Sequence, residues 1–194
     1  MKKFLKRAVV TILVMVTIFF SAGIIFPSVS YESKVTVNKP VETSFGVFTN
    51  PFKLLNWVTG LKGIGWISGS QHEVGSKWKF IVAQNGKEYE LIQTLKKFRQ
   101  NELFVTAADN ELFTDEVEVK FISKGTSTEI IATSTLKGKN ILWRSVFVFA
   151  KFYLNSNDQK MYDKLKEVIE KAGVFGQTLS MDMARNMQLV SENR

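Results

Sequence analysis

Between residues 31 and 137 apolar and polar side chains alternate with a period of two, and after residue 140 the period lengthens to that of a helix. The alternation predicts strands over 31–37, 77–83, 87–95, 102–108, 112–122 and 126–136. In the first of these Val35 and Val37 face away from Lys34 and Thr36, and in the fifth Val117, Val119 and Phe121 alternate with Glu116, Glu118 and Lys120. Asn85-Gly86 suits a two-residue hairpin, because both residues accept the positive φ of a type I′ turn. Glu73 to Ser76, Asp109-Asn110 and Lys124-Gly125 supply further turns. Pro40 followed by Val41, Phe45 and Phe48 predicts a short helix over 40–48, and Asn50-Pro51 before Phe52, Leu54, Leu55 and Trp57 predicts a second short helix or tight turn. Residues 60–69, punctuated by glycine, read as an apolar loop.

The late helix organises the rest. Met161, Leu165, Val168, Ile169 and Ala172 form one stripe, while Lys160, Asp163, Lys164, Glu167, Glu170 and Lys171 fall elsewhere around the wheel. An apolar run over 141–154 precedes it, and the polar stretch Asn155-Ser156-Asn157-Asp158 between them predicts a helix break, a kink or a new N-cap. Gly173 predicts the stop. Beyond it Phe175, Leu179, Met183 and Met187 recur every four residues, which fits a further helix, a frayed tail or a lid. Clean alternation leaves one face of the sheet wet and the other covered, and only the late helix is large enough to cover it. The predicted architecture is α+β, an antiparallel meander of six to seven strands around that helix.

Ahead of this domain, residues 8–26 form an uncharged run of 19 residues. As a helix the run is about 28 Å long, close to the thickness of a bilayer core. It exceeds the usual core of a signal peptide, and only Ser28-Val29-Ser30 offers a poor cleavage site, so a retained anchor is favoured over a cleaved signal. Lys2, Lys3, Lys6 and Arg7 in front of it predict a cytoplasmic N-terminus and a domain on the outer side of the membrane. The same four groups account for half of the +8 net charge, leaving only +4 over the rest of the chain. No basic run with interleaved aromatics follows, so the sequence gives no nucleic-acid footprint.

Candidate chemistry is sparse. With no cysteine and a single histidine, His72, the chain offers no disulfide framework and none of the familiar zinc motifs. His72 sits in a polar loop and reads as solvated. Glu88, Glu90, Asp115, Glu116 and Glu118 read as the wet outer face of their strands, and Gln93, Thr133, Ser134 and Arg144 as candidates for a few polar groups inside. The 16 Phe, four Trp and four Tyr carry more information. Trp57, Trp66, Trp78, Phe80, Tyr89, Phe121, Trp143 and Phe147 fall on predicted inner faces; with Leu91, Val119, Met161 and Leu165 they fit the wall of an apolar pocket.

The order of landmarks resembles the START-like (SRPBCC) superfamily, the helix-grip fold of START domains, Bet v 1-like proteins and polyketide cyclase/dehydrase-like proteins. The resemblance lies in Pro40-Val41-Glu42 with Phe45 after the first strand, then Trp57, Val74-Gly75 before a strand, Gly125-Thr126 before the last strand, and Leu165-Lys166 with Glu170 in the final helix. It covers residues 35–172 and implies a deep apolar cavity between a curved sheet and the long helix, holding a hydrophobic ligand without a cofactor. The expected organisation is a membrane segment over 1–30, a helix-grip domain over 31–172 and a tail over 173–194. The expected partners are a hydrophobic or amphipathic small molecule or lipid, and the membrane itself through the N-terminal helix. Two alternatives share the fold: a cyclase, dehydratase or hydrolase with an acid and base such as Tyr89 and Arg144 in the cavity, or an interaction module whose cavity is filled.

Overall fold

A computed structural model describes the backbone of residues 2–84 and 86–192 and the side chains of 2–83 and 86–172. An N-terminal helix, α1 (Lys2–Ile25), leads into strand β1 (Val29–Val37), and two short helices follow, α2 (Val41–Thr49) and α3 (Pro51–Trp57). Six strands then run as a meander: β2 (Leu61–Ser68), β3 (Lys77–Gln84), β4 (Lys87–Arg99), β5 (Leu103–Asp109), β6 (Phe113–Ser123) and β7 (Thr128–Gly138). Helix α4 (Ile141–Glu192) closes the chain. The strands make one antiparallel sheet in the order β1-β7-β6-β5-β4-β3-β2, so β1 and β2 are its edges. A curved antiparallel sheet gripping a long helix, with two short helices after the first strand, is the helix-grip arrangement.

Three expectations change. The glycine-rich stretch is strand β2, paired with β3 through Ile64↔Phe80 and Trp66↔Trp78; glycine lowers strand propensity, but an edge strand needs only one partner. Asn155 to Asp158 does not interrupt α4, because no Pro or Gly breaks the backbone there and Asp158 lies on the same stripe as Tyr162, Leu165 and Ile169. Gly173 does not end the helix either, while the side chains expected to form a tail stripe, Phe175 to Met187, lie outside the described residues. The β3–β4 hairpin closes at Gln84↔Lys87 with Gly86 at φ 75°, as a two-residue turn requires; Asn85 lies outside the described residues.

The core splits into two clusters. The larger joins Tyr162, Leu165 and Ile169 of α4 to Val35 and Val37 of β1, Ile130 and Ala132 of β7, and Phe45 and Phe48 of α2. Burying each such side chain contributes roughly 1.5–3 kcal/mol. The smaller cluster lies at the other end of α4, where Phe147 packs on Val29 and Leu136 with Phe113 and Trp143 around them. Helix α4 also shields the edge of β1. Gln159 brackets Lys34, its Oε1 accepting from the backbone N at 3.0 Å and its Nε2 donating to the backbone O at 3.1 Å. Lys166 Nζ donates to Thr36 O at 2.7 Å, and Glu170 Oε1 accepts from Asn38 N at 3.2 Å. Backbone groups that an edge strand leaves open are thus paired, which removes a template for strand addition.

Helix α1 has the length and composition to cross a bilayer, with most of its apolar surface exposed. Its C-terminal half lies along the first turns of α4. Phe19 stacks on Phe149 with ring centroids 5.6 Å apart, and a Cβ on Gly23 would meet Ile141 O at 2.7 Å, so glycine permits the close approach.

Candidate functional site

Between the inner face of the sheet and α4 lies a cavity of about 280 Å³. Strand register explains its lining. One row crosses five strands as Tyr31, Ser134, Val117, Thr106 and Leu95, and all five side chains face the cavity. The next row runs Val29, Leu136, Asp115, Ala108, Gln93, Trp78 and Trp66, of which Asp115, Gln93, Trp78 and Trp66 line it. Trp57 and Leu54 of α3 and Met161 and Tyr162 of α4 complete the wall. The exposed lining residues Trp66, Gln71 and His72 mark the mouth. Gln71 Nε2 donates to Thr49 O at 3.3 Å, tying the β2–β3 loop to α2 across that opening, and the His72 ring stacks on Phe98 at 4.6 Å.

Far across the sheet from the mouth, the wall turns polar and acidic. Asp115 on β6 and Asp158 on α4 sit where the two apolar clusters leave a gap, flanked by Tyr31 and Tyr162. Ser134 Oγ donates to Asp158 Oδ2 at 3.1 Å. Burial, with the Asp158 charge adding to it, pushes the Asp115 carboxyl up from 3.8 to about 7. Burial also raises Asp158, partly offset by the hydrogen bonds from Ser134 and Tyr31. Both tyrosine hydroxyls are raised by burial and then by the neighbouring carboxylates, so they remain neutral donors. Asp115 Oδ1, Gln93 Oε1 and Trp57 Nε1 are buried and meet no partner among the described residues. No Lys or Arg lines the cavity among the described residues.

The structure brings together Trp57, Trp66, Trp78, Phe80, Leu91, Val119 and Met161 around this space. Five other residues expected in the wall stand elsewhere. Tyr89 has the inward phase of Leu91 but lies toward the β3–β4 hairpin tip, where it is 52% exposed. Phe121 packs on Phe45 at 5.0 Å and Leu165 is fully buried, both inside the larger cluster. Trp143 and Phe147 belong to the smaller cluster beyond the acidic pair. Arg144 Nε donates to Gly138 O at 3.0 Å and fixes the β7–α4 turn, so Tyr89 and Arg144 are not an acid–base pair in the cavity.

Of the acidic residues, Glu88 and Glu90 are exposed as expected, with Glu90 paired to Lys79 at 2.7 Å. Asp115 corrects the outer-face reading. It has the same phase as Val117, Val119 and Phe121, so the pleat turns it inward, and this phase was visible in the sequence. Ser134, a candidate inner polar group, does face the cavity; Thr133, of opposite phase, does not.

Neither a protein-family model nor a curated protein matches the chain. Solved structures do. A protein of unknown function from Staphylococcus aureus superposes with a TM-score of 0.62 at 19% identity, over 75% of this chain and 96% of that one. Ara h 8.0201 gives 0.58 at 11% identity, over 73% and 97%. Norcoclaurine synthase from Thalictrum flavum, in complex with dopamine and hydroxybenzaldehyde, gives 0.56 at 11% identity, over 73% and 86%. At these identities the likeness is one of fold, the helix-grip fold of Bet v 1-like and SRPBCC-type proteins.

Proposed function

We propose that this chain is a membrane-tethered binding protein whose cavity holds one hydrophobic or amphipathic small molecule. The observation that carries the reading is the cavity itself, walled by Trp57, Trp78 and Phe80 and ending in Asp115 and Asp158. Apolar area supplies affinity at about 25 cal/mol per Å² removed from water, and a few polar groups set orientation. Apolar cavities of about 150 Å³ take up benzene. A space of about 280 Å³ therefore suits a ligand of one or two rings, or a short chain, better than a whole two-chain lipid. Native mass spectrometry of the full chain, followed by denaturing extraction, is expected to release one small amphiphile in near-stoichiometric amount. A chain that is empty on isolation and takes up no member of a panel of fluorescent apolar probes sinks the reading.

The tether in this reading is α1, inserted with Lys2, Lys3, Lys6 and Arg7 on the cytoplasmic side and the helix-grip domain outside. Packing of Gly23 and Phe19 on α4 holds the domain against the bilayer surface, with the exposed rings of Phe149, Phe152 and Tyr153 continuing the apolar surface of α1. The full-length chain is expected to stay in the membrane pellet after alkaline carbonate washing and, in cells stripped to an intact cytoplasmic membrane, to be digested by protease added outside. A shortened form in the soluble fraction, starting near residue 31, would show cleavage instead.

One observation favours a second reading. A carboxyl raised to about 7 beside another carboxylate is how a site holds a general acid and base together near neutral pH. On that reading the same cavity hosts a cyclase- or dehydratase-type reaction, and turnover of a bound ligand should vanish in Asp115→Asn while binding persists.

A further inference from the structure

The acidic end of the cavity holds two carboxyl groups, and no Lys or Arg lines the cavity among the described residues. Asp115 and Gln93 lie on one row of the sheet with Ala108 between them, two strand spacings or about 10 Å apart. Asp115 Oδ1 and Gln93 Oε1 are both buried and meet no partner among the described residues. Asp158 comes down on the same region from α4. The titratable groups that face this space are Tyr31 from β1, Asp115 from β6, and Asp158 and Tyr162 from α4. The lining histidine among the described residues is His72, in the β2–β3 loop at the mouth.

A second observation is independent of the acids. Trp57 is 4% exposed and lines the cavity, yet its indole N–H meets no acceptor among the described residues. A buried polar atom left unpaired carries a desolvation penalty, and three of them, on Asp115, Gln93 and Trp57, belong to residues of this wall. The charge identifies the occupant's class. Paired carboxylates without a cation are costly to bury, and an ammonium group relieves both at once through charge-assisted hydrogen bonds. An anionic or phosphate-bearing head would instead meet like charge.

We infer that the cavity takes a small hydrophobic amine, with its protonated nitrogen against Asp115 and Asp158 and its apolar body against Trp57, Trp78 and Phe80. The inference rests on the cavity-binding reading above and narrows it to one ligand class. Because burial raises the Asp115 carboxyl to about 7, arrival of an ammonium drives its proton off, so binding near neutral pH releases protons.

The test uses the full chain in phosphatidylcholine nanodiscs, with empty nanodiscs as the blank. Three probes of one shape, naphthylethylamine, naphthylethanol and naphthylacetate, are titrated calorimetrically in buffers of different ionisation enthalpy. The amine is expected to bind at least about tenfold more tightly than the alcohol, the value of one charge-assisted hydrogen bond, with proton release seen for the amine alone. Naphthylacetate should bind most weakly. Equal affinity for amine and alcohol, or tightest binding of the carboxylate, overturns the amine assignment and leaves the cavity reading standing. Failure of all three probes overturns both. Asp158→Asn should lower amine affinity about tenfold and leave the alcohol unchanged, whereas equal loss for both probes counts against the assignment. Should that variant fail to fold, proton release by the unaltered chain decides alone: its absence overturns the inference.

Discussion

Asp115→Asn is expected to stabilise the folded domain by up to about 4 kcal/mol at pH 8 and to leave it nearly unchanged at pH 4. The folded carboxyl is raised from 3.8 to about 7, by burial first and by Asp158 second. Between those two values the folded state holds a proton that the unfolded chain has released. Stability therefore falls as pH rises through this window, and the whole cost is present above about 7. An amide of the same shape removes the charge and with it the share of the slope that belongs to Asp115, while Asp158, also raised by burial, keeps its own in both proteins. Glu129 works in the opposite direction, since its bond to Lys34 lowers its pKa and is lost in acid, but the pair is common to both proteins, so it cancels in the comparison. Denaturant melts of the two proteins across this range, followed by tryptophan fluorescence, provide the measurement. Parallel curves would show that Asp115 is not held in a charge-hostile place. The expected gain in stability with loss of amine affinity is the signature of a group kept for binding at the fold's expense.

Most of the framework was legible because the sheet has one wet face. The phases of Val35, Val117, Val119 and Phe121 alone place their strands around the helix, and the inward aromatics of β3 follow from the same rule. What failed was reading neighbours in place of phase. The acidic stretch 115–118 hides Asp115, whose phase is that of Val117 and not of Glu116 and Glu118. The polar run Asn155 to Asn157 hides Asp158 in the same way, although Asp158 precedes Tyr162, Leu165 and Ile169 by four, seven and eleven residues along one stripe. The two acids come from elements far apart in the chain, so each looked like surface until the fold set them together. Tyr89, Trp143 and Phe147 show the complementary limit. Phase tells which face a side chain takes, but not how far along the strand or helix the cavity extends.

The same distinction between packed core and cavity wall sets the second large effect. Phe45→Ala is expected to cost about 3–5 kcal/mol, because the ring is completely buried with Phe121 at 5.0 Å and Phe98 at 5.7 Å and nothing can collapse into its place. Phe80→Ala should cost about 1–2 kcal/mol less, since part of that ring already faces open space and has no partner atoms to lose. Chemical denaturation of the two variants in the ligand-free state gives the comparison. Equal losses would mean that the wall around Phe80 has closed. Added ligand should then separate the variants further, because a molecule bound to the folded state stabilises Phe45→Ala through an intact wall and Phe80→Ala only in proportion to the contacts it keeps. The size of that separation measures how much of the binding energy the ring of Phe80 supplies.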